Sequence, residues 1–136
     1  MNEPSILIEP TFKTRVSDDG ILEIRSQGSF VPELAQAIIR QVEDYIDICG
    51  VPAGILLDMR HSANLSIVRL SHLIDRLTDY EATLVAVLFD TDTQLQLAVL
   101  LHNTLNNHEQ VAYFIEEDAA RIFLAADFPQ PANTRR

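Results

Sequence analysis

The stretch "ILLDMRHSANLSIVRLSHLI" (residues 55–74) passes from an apolar run through a polar bend into a helical repeat. "GILLDM" (54–59) is broken only by Asp58 near its end, the pattern of a strand buried on both faces. Beyond the bend Ile67, Leu70, Leu73, Ile74 and Leu77 recur at helical spacing, and Ser66 stands where a side chain can cap the first turn. Asp58, Arg60, His61, Ser62 and Ser66 fall within nine positions. The bend therefore does chemistry, accepts a phosphate, or presents a surface to a partner.

The flanking sequence repeats the strand and helix alternation. Residues 6–16 and 21–27 surround "SDDG" (17–20), and an Asp-Gly between β-rich stretches predicts a hairpin. In the second strand Leu22, Ile24 and Ser26 share one face, with Glu23, Arg25 and Gln27 on the other. Pro32 suits a first helical turn, and Leu34, Ile38, Val42, Tyr45, Ile46 and Cys49 continue that helix until Gly50 and Pro52 stop it. "TLVAVLF" (83–89) reads as a second buried strand, Asp92 as the cap of a third helix running to about Asn106, and "QVAYFI" (110–115) as the last strand. "EEDAARIFLA" (116–125) closes with a helix whose first turn holds Glu116, Glu117 and Asp118, complementing the helix dipole. The order β-β-α-β-α-β-α-β-α predicts an α/β fold with a single mostly parallel sheet and an N-terminal antiparallel hairpin. Residues 1–126 form one domain, and 127–136, with Pro129 and Pro131, a flexible tail. Sites in such sheets lie at the carboxyl ends of the strands, which include the bend after Asp58.

Composition narrows the function. The 136 residues carry 20 acidic against 10 basic side chains, a net charge of -10, so nucleic acid and anionic membrane surfaces are excluded as partners. "LAVLL" (97–101) is far shorter than the roughly 20 residues of a membrane span. The start "MNEPSILIEP" lacks the basic and apolar regions of a secretory signal, and Cys49 is the only cysteine, so a cytoplasmic location is expected.

The chemical rivals fail on residue type or spacing. A phosphate-accepting receiver domain, suggested by Asp58 and Asp90 at strand ends, needs a lysine late in the chain, and the only lysine is Lys13. A triad from Asp58, His61 and Ser62 would have to converge from one bend, and no G-x-S-x-G elbow exists. His102 and His108 match no zinc spacing, and the four glycines form no phosphate loop. No cofactor or metal is expected, and no enzyme activity.

The run "GILLDMRHSANLSIVRLSHLI", preceded by hairpin and helix and followed by "LVAVLF" and "VAYFIEEDAARIFL", resembles the STAS domain family of anti-sigma-factor antagonists and SpoIIAA-like proteins over about residues 6–125. The resemblance implies a STAS/SpoIIAA-like fold and a regulatory, protein-binding role. In antagonist members the helix after this strand opens on an Asp-Ser-Ser-Gly type motif with a phosphorylated serine. Here "LSIVRL" takes its place, with Ser66 near the motif's aspartate, so the usual phosphoacceptor is absent.

Two functional readings stay open. One is a non-catalytic interaction module using Arg60, His61, Asn64, Ser66 and Arg69 on the bend, with the guanidinium of Arg60 or Arg69 as anchor for an acidic segment or an anion. In the third helix Leu95, Leu97, Ala98, Val99, Leu100, Leu101 and Leu105 nearly encircle the axis. Either a second layer, such as the terminal helix, covers it, or a partner or a second copy does, through Leu97, Val99 and Leu101. The other reading is a carrier of a small apolar ligand or lipid, in a pocket between the sheet and the two C-terminal helices lined by Leu97, Leu101, Phe114 and Phe123.

Overall fold

The computed structural model describes residues 10–79, 83–104 and 109–125, without the side chains of 92–95 and 104. Readings that touch residues 6–9, Leu105, Asn106, His108, the 127–136 tail, or the side chains of Asp92 and Leu95 lie outside the described residues. Among the described residues the order is β1 (Thr11–Val16), β2 (Ile21–Ser29), α1 (Pro32–Cys49), β3 (Gly54–Ala63), α2 (Ile67–Leu77), β4 (Leu84–Leu88), α3 (Asp92–Thr104), β5 (Val111–Phe114) and α4 (Glu117–Ala125). The predicted order is therefore observed. The sheet runs β1-β2-β3-β4-β5, with β1 antiparallel to β2 and every other pairing parallel.

The hairpin forms as its turn residues dictate. Ser17 O accepts from Gly20 N–H, Ser17 N–H donates to Ile21 O, and Gly20 takes φ 86°, which a side chain would resist.

The strand order places the helices. Three successive parallel crossovers step across the sheet in one direction, and with one hand they must all lie on the same face. Leu34, Ile38, Leu70, Leu73, Ile74 and Leu101 accordingly share one core with Ile24, Ile55, Leu57, Val85 and Val87. Among the described helices only α4 lies on the other face, where Ala120 and Leu124 meet Ile21, Leu56, Leu84, Ala86 and Leu88. One helix, about 10 Å across, spans two or three strands set about 4.8 Å apart. It contacts β3, β4 and β5, and among the described residues no helix lies over that face of β1 and the outer part of β2.

One boundary differs from the sequence reading in a way that matters. β3 continues past Met59 to Ala63: a bulge on β3, where Met59 and Arg60 stand opposite Ser26 of β2, shifts the register so that His61, Ser62 and Ala63 pair with Gln27, Gly28 and Ser29. The expected bend from Arg60 to Ser66 shrinks to Asn64, Leu65 and Ser66.

Candidate functional site

The β3–α2 bend is fastened to the junction between β2 and α1. Phe30 N–H donates to Ala63 O at 2.9 Å, Asn64 Nδ2 donates to Ser29 Oγ at 3.0 Å, and Arg69 Nη1 donates to Phe30 O at 2.7 Å. Asn64 holds the turn with φ 57°, a left-handed conformation that asparagine tolerates better than most residues. Ser66 Oγ accepts from Arg69 N–H at 3.3 Å and so is the expected cap of α2. Ser62 is buried, with its hydroxyl donating to Ser26 Oγ at 2.9 Å. His61 and Asn64 are exposed, and Val68, the second residue of α2, is 78% exposed.

Neither arginine is the open anchor that the sequence suggests. Arg69 is half-buried on Phe30 O. Arg60 turns back on Asp58, with Nε 3.0 Å from Oδ1 and Nη2 2.9 Å from Oδ2, and its Nη2 lies 3.1 Å from Glu117 Oε1 of α4.

Those contacts belong to a larger charge cluster where α4 stops covering the sheet. Arg25 donates to Asp58 Oδ2 at 2.5 Å and to Glu117 Oε2 at 3.0 Å. Arg121 joins Glu117 to Glu23, and Glu23 also meets Arg15 and Arg25. Asp58 and Glu23 are each only 1% exposed, so these are buried carboxylates satisfied by guanidinium groups. Burial pushes the Asp58 carboxyl up, but hydrogen bonds from the Arg60 side chain and N–H and from Arg25 outweigh it, leaving it below the usual range. The Arg25 hydrogen bond is the main cause holding Glu117 low, opposed by partial burial and reinforced by Arg121.

This cluster escaped the sequence reading, in which Glu23, Arg25 and Gln27 share one face of β2 with no partner named for them. A signal exists nonetheless. Acid and arginine stand two apart on β2 (Glu23, Arg25) and on β3 (Asp58, Arg60), and four apart on α4 (Glu117, Arg121). Each spacing puts its pair on one face.

The third-helix residues divide. Leu101 is fully buried in the core shared with α1 and α2, and is unavailable to a partner. Leu97 and Ala98 are partly buried against that core, while Val99 and Leu100 are 63% and 53% exposed. The second layer over α3 is α2 and β5, not the terminal helix. The apolar pocket is likewise corrected: Leu97 and Leu101 pack on the α1 side of the sheet, Phe114 and Phe123 on the α4 side, so no single cavity can be lined by all four.

Among solved structures, an anti-sigma factor antagonist from Mycobacterium paratuberculosis matches with a TM-score of 0.64, covering 93% of this chain and 100% of its own, at 19% identity. The fold is STAS-like. At that identity the likeness is one of fold. No family model and no curated protein matches the sequence. In this STAS-like fold the bend and the charge cluster occupy neighbouring sheet positions, linked through consecutive residues of β3. No described helix is long and apolar enough to cross a membrane.

Proposed function

We propose that the chain is a non-catalytic regulatory module of STAS type that binds a protein partner through the end of β3 and the start of α2. The observation that carries this reading is Val68, 78% exposed beside a bend tied down on three sides. An apolar side chain displayed on rigid backbone, bordered by the polar groups of His61 and Asn64, is suited to a protein surface. The groups that could do chemistry are committed elsewhere: Asp58 and Arg60 to ion pairs, Ser62 to Ser26, and Ser66 to its cap. Arg69 then positions the bend, Arg60 ties the end of β3 to α4, and the serines are structural rather than phosphoacceptors. The likeness to an anti-sigma factor antagonist supports a regulatory protein as the partner class.

The test is capture of partners from the source cell by wild type, by Val68→Asp and by the Ser62→Ala, Ser66→Ala double variant. Val68→Asp loses the partner with its melting temperature unchanged, and the serine variant keeps it. Retention by Val68→Asp, or loss in the serine variant together with a phosphoserine found by mass spectrometry, reverses these roles.

Exposed Val99 and Leu100 favour a second contact on α3, with another copy of the chain or with the same partner. Light scattering of wild type and Val99→Asp separates the two.

A further inference from the structure

We propose that the outer edge of β1 accepts an extended segment of a protein partner as a sixth strand, and that this segment alternates acidic and apolar side chains. This surface lies at the edge of the sheet and is independent of the α2 reading.

The backbone supplies the first part. Ser17 N–H donates to Ile21 O, and in an antiparallel ladder the bonded positions recur every second residue. Arg15, Lys13 and Thr11, opposite Glu23, Arg25 and Gln27, therefore turn their backbone groups toward β2. Phe12, Thr14 and Val16 turn theirs outward, and β1 is the end of the sheet. An added strand would take up those donors and acceptors, the source of affinity in strand addition.

The two sides of this edge differ in chemistry. On the α4 side, a groove of about 280 Å³ is lined by Lys13, Thr14, Arg15, Glu23 and Arg25. Glu23 is shared among Arg15, Arg25 and Arg121, so it does not neutralise the groove, and Lys13 and Arg15 remain exposed on a chain whose net charge is -10. On the α1 side, a groove of about 450 Å³ runs between β1 and the start of α1, lined by Pro10, Phe12, Val31, Leu34 and Ala37, with Glu33 also bordering it. Side chains of an added strand point alternately to these two sides. One side asks for carboxylates and the other for apolar groups.

A second copy of the chain fits poorly. Antiparallel pairing of two β1 edges about Thr14 sets Lys13 of each opposite Arg15 of the other, and like charges directly opposite are destabilising. Lysine on an edge strand guards against self-pairing in the same way. The occupant is thus a foreign, acidic strand.

The probe is an end-blocked heptapeptide alternating glutamate and valine, titrated into the isotope-labelled chain while amide exchange is followed. Binding slows exchange at Phe12, Thr14 and Val16, and a peptide with lysine for glutamate does not bind. The Lys13→Glu, Arg15→Glu variant weakens binding at least tenfold. Thr14→Pro removes one outward N–H without touching the β1–β2 ladder, a position where an edge strand tolerates proline, and abolishes binding. A peptide N-methylated to block its inward-facing amides makes the same deletion from the other partner. No binding at millimolar peptide, equal binding of the lysine peptide, or unchanged exchange at those three amides overturns the proposal.

Discussion

Asp58 at the end of the apolar part of β3 and Glu117 at the start of α4 are bridged by the same two guanidinium groups, those of Arg25 and Arg60. α4 has nine residues, too few to be stable as an isolated helix. Its docking rests on Ala120 and Leu124 at the apolar end and on this charge bridge at the other.

Asp58→Asn keeps the shape and removes the charge that Arg25 and Arg60 share. Breaking a fully buried pair costs about 3 to 5 kcal/mol. The two arginine side chains are 36% and 28% exposed, so water compensates in part and a loss of about 2 to 3 kcal/mol is expected. Urea unfolding measures it. A loss below about 0.5 kcal/mol would mean that α4 is held by its apolar contacts alone.

The same bridge predicts an acid limb. The Asp58 and Glu117 carboxyls lie below their ordinary values of 3.8 and 4.5 in the folded chain. As pH falls the unfolded chain takes up these protons first, so the contribution is complete above about pH 5 and is lost through the ordinary values toward the lower folded ones. Urea midpoints between neutral pH and about pH 3 should fall more steeply for wild type than for Asp58→Asn, Glu117→Gln. Parallel curves would contradict the assignment.

Periodicity made the elements legible: the face of Leu22, Ile24 and Ser26, the Ser66 cap and the buried side of α2 all stand as read. The partition between layers was not, because a helical pattern says that Leu101 and Phe123 are buried without saying under which face of the sheet. Strand order decides that, and order is a non-local property. β3 was cut short for a related reason. His61, Ser62 and Ala63 rejoin the β2 ladder only past an extra residue in β3 at Met59 and Arg60, and no glycine or proline within 55–63 announces it.

Val99 and Leu101, two positions apart on α3, should respond very differently to substitution. Leu101→Ala empties a fully buried position and costs about 2 to 5 kcal/mol. Val99→Asp changes a side chain that is 63% exposed and shifts stability by only about 0.5 kcal/mol. Thermal melts of both variants test the burial assignment, and a large loss for Val99→Asp at every protein concentration would place it in the core.

Tyr113 predicts a separate alkaline limb. Burial pushes its hydroxyl up to about 12 from an ordinary value of 10.0, beside a ring stacked on Phe89 at 6.3 Å. The folded chain favours the protonated phenol, so this contribution is intact below about pH 10 and is lost as pH rises toward 12. Tyr113→Phe should remove that loss, and phenolate absorbance should show one late-titrating tyrosine in the wild type.

Asn64 carries two separable burdens, a left-handed φ of 57° and the hydrogen bond to Ser29 Oγ. Glycine relieves the first and deletes the second; alanine deletes the bond and keeps a Cβ in that conformation without the polar side chain that lets asparagine tolerate it, a strain of about 1 to 2 kcal/mol. Ser29→Ala deletes only the bond, whose net worth is about 1 kcal/mol. Asn64→Ala should therefore be the least stable of the three, with Asn64→Gly and Ser29→Ala similar to each other, by chemical denaturation. Should Asn64→Ala match Asn64→Gly, the bend would have an extended alternative that removes the strain, and the rigid display of Val68 would lose its support.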